Sequence, residues 1–390
     1  MEKVQKTTIL FIVVCFVIYS CITRYEQVGT EGYRDILVVE GIITNGTTVI
    51  TLSKTIQLND YFTSKEIVEN ATLYVESEKD ARSEEAQYEG EGRYLIETPE
   101  LEVDSRYRLK IILDGNEYQS DFLTPLITPE LTTSFSVDDE GIVSVCVSTH
   151  DEQEEYRHFL WSFKENWEIN STLYIFPYQS FYFKGDTFYN DYFSSNNYFY
   201  CWKKDRSNQL YLASTEKFIS NTISNHALTK IPRSDDKVSV LYCIDVKQNL
   251  IRKEAFRYFS NLQNNIERTG SIFTPIPFEV PGNITCVSNQ GTVVIGYVDV
   301  STTTEKRQFI SREDVYVDAD TKCNRIKDEP GLDNQPELAS FFLFAWDEEL
   351  NIPVLQKYWM NVYCLDCTYK GNLGKRGTKE KPDFWPNDHL

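Results

Sequence analysis

Arg106-Tyr107-Arg108-Leu109-Lys110-Ile111, followed by Asp114-Gly115, is the stretch from which the fold is read. Tyr107, Leu109 and Ile111 alternate with Arg106, Arg108 and Lys110, a strict period of two. That pattern marks a strand with one dry and one wet face. Asp114-Gly115 then supplies a hairpin turn before Tyr118. Upstream the signal repeats. Ala71, Leu73 and Val75 alternate with Thr72, Tyr74 and Glu76, and the β-branched runs 36–40 and 49–52 are split by a turn at Asn45-Gly46. Strands punctuated in this way predict an immunoglobulin-like β-sandwich over residues 34–126. Pro125 and Pro129 bracket the expected linker.

The same grammar continues downstream. Residues 135–147, 156–167, 209–213, 238–246, 293–300 and 307–310 read as strands, and 328–336 reads as a loop. One helix stands out near 250–267. Ile251, Ala255, Phe259, Leu262 and Ile266 keep one face, while Lys253, Glu254, Asn261 and Asn265 lie off it. Gly270 is a plausible stop. The expected fold is therefore mostly β, with the N-terminal immunoglobulin-like sandwich followed by a larger β-rich domain (127–390) holding one main α-helix.

The chain has 390 residues and a formal charge of −20. A chain of that length accommodates two or three domains. Such acidity argues against a nucleic-acid partner, because phosphate binding requires a basic surface. Residues 1–20 read as an export signal. Lys3 and Lys6 form a positive start, and the apolar run 9–19 is too short to span a bilayer as a helix. The run ends in Ile18-Tyr19-Ser20-Cys21, which matches a bacterial lipobox. On that reading Cys21 becomes the lipidated N-terminus, and several acyl chains hold it stably in a membrane. Ordinary secretory cleavage is the alternative. Loss of residues 1–20 removes two lysines and Glu2, leaving −21. Residues 21–33 lack periodicity and read as a tether.

Nine cysteines occur, and seven remain beyond Cys21. Export would place them in an oxidising compartment, where disulfides persist. Cys364-Leu365-Asp366-Cys367 has neither a second pair nor neighbouring histidines, which disfavours zinc. Its place near the C-terminus disfavours a thioredoxin-like role. A structural disulfide through Cys364 or Cys367 is expected, with Cys323 as the distant partner. Seven being odd, at least one thiol should stay free.

Catalytic motifs are scarce. There is no G-x-S-x-G elbow, no Gly-rich phosphate loop and no H-E-x-x-H. The histidines are His150, His158, His226 and His389. His150 and His158, with Glu152, Glu154 and Glu155 between them, read as solvated loop residues rather than as a metal or acid–base site. Asp138-Asp139-Glu140-Gly141 lacks the spacing of an EF-hand and reads as an acidic turn. No cofactor or metal is expected. The unusual feature is aromatic: fourteen of the 29 residues from 174 to 202 are Phe, Tyr or Trp. Most should fill a core. Tyr174, Tyr178, Tyr182, Tyr189, Tyr192 and Trp202 are the candidates for an exposed platform that grips a ligand or partner.

Short blocks in the C-terminal half combine with these signals. They run Cys201-Trp202-Lys203, Gly270-Ser271-Ile272-Phe273-Thr274-Pro275-Ile276-Pro277, Pro281-Gly282-Asn283-Ile284, Val294-Ile295-Gly296-Tyr297 and Lys306-Arg307-Gln308-Phe309-Ile310. Cys364 to Cys367, Gly371 and Lys381-Pro382-Asp383-Phe384-Trp385 close the series. In this order, and with Val38-Val39-Glu40-Gly41, they resemble the Bacteroidota lipoproteins of domain-of-unknown-function family 4249. The resemblance implies an accessory lipoprotein of the outer membrane, associated with TonB-dependent transporters. It brings no catalytic residues. One departure concerns the leaflet. Surface-exported lipoproteins of that phylum often carry acids just after the lipidated cysteine, whereas here Ile22-Thr23-Arg24-Tyr25 precedes Glu26.

The residues themselves suggest that Gly270, Gly282 and Gly296 are turns or close approaches, and that Phe384-Trp385 plugs a groove and pins the tail. The expected function is a non-catalytic, lipid-anchored binding or docking subunit of a TonB-dependent outer-membrane transporter. A carboxylate-based glycan or peptide hydrolase and a purely structural envelope protein are the alternatives.

Overall fold

The computed structural model describes residues 35–55, 66–79, 81–152, 157–171, 182–184, 187–189, 199–207, 209–268, 282–315, 323–324, 326–335, 338–347, 352–361, 364, 366–369 and 377–387. The protein is mostly β; the described residues include one main helix, α1 (Lys253–Arg268), and one short helix, α2 (Arg312–Val315). Among the described residues no helix is long and apolar enough to cross a membrane.

The first pair of sheets grows from the alternating stretches. Strand Tyr107–Leu113 buries Tyr107, Leu109, Ile111 and Leu113 and leaves Arg108 and Lys110 partly exposed. It lies between Thr72–Ser77 and Asn116–Ser120. The turn joining it to the latter has Asp114 and Gly115 at φ 52° and 77°, the left-handed pair a tight hairpin requires. The facing sheet carries Leu37–Ile43, Gly46–Lys54, Arg93–Thr98 and, at its edge, Gln87–Gly90. Leu37, Val39, Ile50, Leu52, Leu73, Val75, Leu109 and Ile111 share one core between the two sheets.

Two strands from far along the chain complete these sheets. Ile284–Cys286 pairs antiparallel with Asn116–Ser120, and Val294–Val300 pairs parallel with Leu37–Ile43. The sequence reading placed both within the C-terminal region. Val298 and Val300 face the shared core, while Tyr297 meets α1 on the other side. A strand covered on both faces reads as a near-continuous apolar run, and 293–300 does so except at Asp299. Gly282 and Gly296 permit the crossing. A Cβ on Gly282 would lie 1.8 Å from the Gly296 carbonyl oxygen. Gly270 falls outside the described residues.

The second pair of sheets sets Thr222–Pro232, Ile142–His150 and Leu131–Val137 against Tyr200–Arg206, His158–Asn170, Leu241–Ile251 and Thr303–Ser311. Tyr211–Ser214 continues the edge beside His158–Asn170. Val143, Val145, Val147, Phe159, Trp161, Phe163, Trp167, Tyr242 and Ile244 fill the core between them. Helix α1 bridges the two pairs. Ala255, Tyr258 and Phe259 are buried against Tyr297 and Ile42 of one pair and Leu160 and Leu212 of the other. Its start is clamped by Asp299, a fully buried carboxylate. Asp299 accepts from the backbone N–H groups of Arg252 (2.7 Å) and Val300 (2.8 Å), and it pairs with the Arg252 guanidinium. Arg252 also donates to the Thr124 carbonyl in the linker.

The hairpin Leu338–Asp347 with Ile352–Asn361 stands beside these layers. The C-terminal segment packs on the outer face of the second pair. Trp385 is 3% exposed, joins Trp202, Leu241 and Cys243, and donates to Glu168 at 3.0 Å. Phe384 stays partly exposed beneath the Arg307 guanidinium. Trp385 therefore fills the groove the sequence reading assigned to Phe384-Trp385.

Candidate functional site

A cleft of about 540 Å³ opens where the two pairs of sheets meet. One wall is the edge strand Gln87–Gly90 and the turn after it. The other is formed by residues 164–166 and 204–206 of the second pair. The turn runs through Gly90, Glu91 and Gly92 at φ 100°, 55° and 76°. Gly92 must be glycine here, since a Cβ would meet the Leu52 carbonyl oxygen at 2.3 Å.

Alternation along His158–Asn170 assigns the cleft its residues. Phe163, Glu165 and Trp167 point inward and are buried, whereas Lys164 is exposed. On the neighbouring strand Cys201 and Lys203 are buried inward, and Lys204 and Arg206 are exposed. Four cations (Arg93, Lys164, Lys204, Arg206) and four anions (Glu89, Glu91, Glu165, Asp205) line the cleft. Arg93 pairs with Glu89 at 2.8 Å, and Arg206 pairs with Glu91 across the cleft. The Arg93 hydrogen bond holds the Glu89 carboxyl below its ordinary range. Lys164 and Lys204 form no ion pair among the described residues.

Beneath the cleft sits a saturated ionic floor. Glu165, 4% exposed, receives Lys237 Nζ at 2.7 and 2.9 Å and the Tyr242 hydroxyl at 2.7 Å. Burial first, and then the Glu165 charge, push the Tyr242 phenol far above its ordinary value. Lys203, also buried, pairs with Asp236. The Asp235 carboxylate caps the short helix Asp236–Val238 through the Lys237 N–H, and burial raises its pKa. Isolated buried charges are costly, so such groups must satisfy one another. Glu165 consumes its lone pairs internally, and proton exchange with a substrate would first have to break that network.

Other polar groups on the sequence list have structural roles. His158 is buried and stacked on Phe256, with ring centroids 4.7 Å apart, and desolvation holds its imidazole below the ordinary value. His226 stacks on Trp161 and is lowered for the same reason. His150 Nδ1 lies 2.9 Å from the Thr222 hydroxyl. Asp138 Oδ1 accepts from the N–H groups of Glu140 and Ile142, closing the acidic turn on itself.

The aromatic candidates separate. Trp202 is buried, 7% exposed, and packs with the tail. Packed with Trp385 and Leu241, it is not part of an exposed surface. Tyr182 and Tyr189 pair across the short hairpin Tyr182–Lys184 and Thr187–Tyr189. Tyr174, Tyr178 and Tyr192, like the lipidation candidate Cys21, lie outside the described residues.

The cysteines resolve into two bridges, Cys323–Cys364 and Cys201–Cys367. The first is the expected pair. The second was not readable, since Cys201 stands 166 residues away with no spacing signal. Cys146, Cys243 and Cys286 are free thiols. Burial pushes the Cys243 thiol up to about 12, so it stays protonated. The cleft residues were missed as well. Lys164, Lys204 and Arg206 look like the wet positions of ordinary strands, and only tertiary packing brings Glu89 and Glu91 to face them.

Fold and site together define a β-rich protein of two joined sheet pairs with a charged cleft at their junction. A model of the domain-of-unknown-function family DUF4249 matches residues 22–307, and the chain belongs to that family. No curated protein matches the chain.

Proposed function

We propose that this protein is a non-catalytic envelope lipoprotein that acts as an accessory binding or docking subunit of a TonB-dependent outer-membrane transporter. The lipobox at Cys21 supplies the anchor, and residues 21–33 supply the tether that lets the folded part reach a membrane neighbour. Whether the anchor sits in the surface or the periplasmic leaflet is left open by the residues after Cys21. The observation that carries the reading is the lining of the cleft. Lys164 and Lys204, which form no ion pair among the described residues, overlie a floor whose carboxylate is already bonded to Lys237 and Tyr242. Such a lining holds a ligand by charge and shape, and cleft volumes of this size are typical of binding sites.

Affinity purification from detergent-solubilised membranes tests the proposal. A TonB-dependent transporter should co-purify, and intact mass spectrometry should find acyl chains on Cys21. Recovery of an unlipidated protein with no transporter would refute it. Turnover of pooled glycans or peptides, abolished by one Asp or Glu substitution, would establish the hydrolase alternative instead.

A further inference from the structure

We propose that the rim of the cleft takes an extended peptide segment bearing an acidic side chain, which adds as a strand to the edge at Lys204–Arg206, beyond the Trp202–Thr378 bridge. This rests on reading the cleft as a binding site and specifies its partner.

The backbone argument comes first. Ser171 N–H bonds the Phe199 carbonyl and Ser207 N–H bonds the Phe163 carbonyl. The odd-numbered residues of this strand therefore turn their backbone groups toward His158–Asn170. The even-numbered ones face the opposite way, along the open edge. Trp202 demonstrates this, since its N–H and carbonyl both bond Thr378 of the C-terminal segment, at 2.9 and 2.8 Å. The edge thus already carries one added residue. Two residues on, Lys204 turns its N–H and carbonyl to the same outer edge, at the rim of the cleft, and neither group has a partner among the described residues. At Arg206 only the N–H is occupied, by the neighbouring Asp205 carboxylate at 2.9 Å.

Side chains then set the preference. In a strand added at this edge, the residue opposite Lys204 projects on the same face as the Lys204 ammonium. Lys164 lies diagonally across the ladder from Lys204, about 7–8 Å from it by sheet geometry, and one strand farther from the added residue. Arg206 and Arg93 pair with Glu91 and Glu89, while the exposed Lys204 ammonium forms no ion pair among the described residues. A carboxylate opposite Lys204 meets that charge, and an ammonium there is repelled. Ladder bonds give affinity and one charge contact gives selection, as in other modes of strand addition.

The test uses the full-length protein in detergent and a fluorescein-labelled peptide, acetyl-Thr-Val-Glu-Val-Thr-Thr-amide, read by fluorescence anisotropy. Saturable binding is expected. Methylating the two backbone nitrogens that would face Lys204 and Arg206 removes donors without altering side chains, and it should weaken binding roughly tenfold. Lys204→Glu, an exposed substitution that leaves the core untouched, should weaken the Glu peptide and strengthen its Glu→Lys counterpart. Equal affinity for the methylated peptide would overturn strand addition and leave plain charge attraction. No saturable binding, or indifference to Lys204→Glu, would overturn the inference outright. Transporter co-purification is a separate readout. Its failure with peptide binding intact removes the transporter, and its success without peptide binding removes only this inference.

Discussion

Replacing Asp299 by Asn should separate the two halves of the molecule energetically. Asp299 is fully buried and holds two backbone N–H groups and the Arg252 guanidinium. Asn keeps the shape but removes the charge and turns one acceptor into a donor that faces N–H groups. Removing one partner of a wholly buried pair costs about 3–5 kcal/mol; Arg252 is only half-buried and keeps the Thr124 carbonyl, so the loss should be smaller, about 2–4 kcal/mol. Against a total stability of about 5–15 kcal/mol, that is a large fraction. Arg252 also reaches Thr124, so the loss falls on the joint between α1, the linker and the first pair of sheets. All six tryptophans (161, 167, 202, 346, 359 and 385) lie outside the first pair of sheets, in the other half of the molecule. Tryptophan fluorescence therefore reports that half, whereas far-UV circular dichroism reports both. In urea at pH 7 the two probes should coincide for the parent protein and part for Asp299→Asn, with dichroism changing first. Arg252→Met combined with Asp299→Asn should cost about 2–3 kcal/mol less than the sum of the single changes. Coincident probes, a loss below about 1 kcal/mol and no coupling would refute the clamp.

Gly282→Ala places a Cβ 1.8 Å from the Gly296 carbonyl oxygen, and overpacking against backbone should cost about 1–3 kcal/mol in urea unfolding; a loss below about 0.5 would show that the crossing relaxes. His158 is held neutral by burial, its folded value lying below the unfolded one near 6.5, so the unfolded chain binds more protons in that window. Its contribution is complete above about pH 6.5 and is lost as the pH falls through the lower folded value. The melting temperature should therefore drop between about pH 7 and 5, and His158→Phe, which also removes a buried nitrogen without a hydrogen-bond partner, should flatten that slope; an unchanged slope would refute the assignment. Trp385→Ala should expose Lys379 and Lys381 to trypsin under native conditions, with unchanged digestion as the contrary result.

Much of the fold is legible because strands with one wet face carry their period in the residues. Tyr107, Leu109 and Ile111 are buried as alternation demands, and Ala255 and Phe259 face the core of α1 as their spacing demands. Thr222–Pro232 was not read. Its burial is irregular, Asn225 has φ 49°, and its pairing shifts register twice, so no clean period survives in the residues. The partner of a strand is also invisible locally. Nothing in Val294–Val300 states that it lies beside Leu37–Ile43. The cleft was illegible for the same reason, since its charges are ordinary until packing sets two edges face to face. Trp202, a platform candidate from the aromatic tract, is buried by the returning chain end, which nothing near position 202 announces.

The parallel pairing of Leu37–Ile43 with Val294–Val300 has a consequence for biogenesis. Leu37 leaves the ribosome 257 residues before its partner Val294. At about 5–20 residues per second, that interval lasts roughly 13–50 s. Throughout it the nascent N-terminal half exposes a row of unsatisfied amides on an apolar strand, a template for aggregation. That row stays open until the late strand arrives, and a fragment ending at residue 126 would carry the same liability permanently.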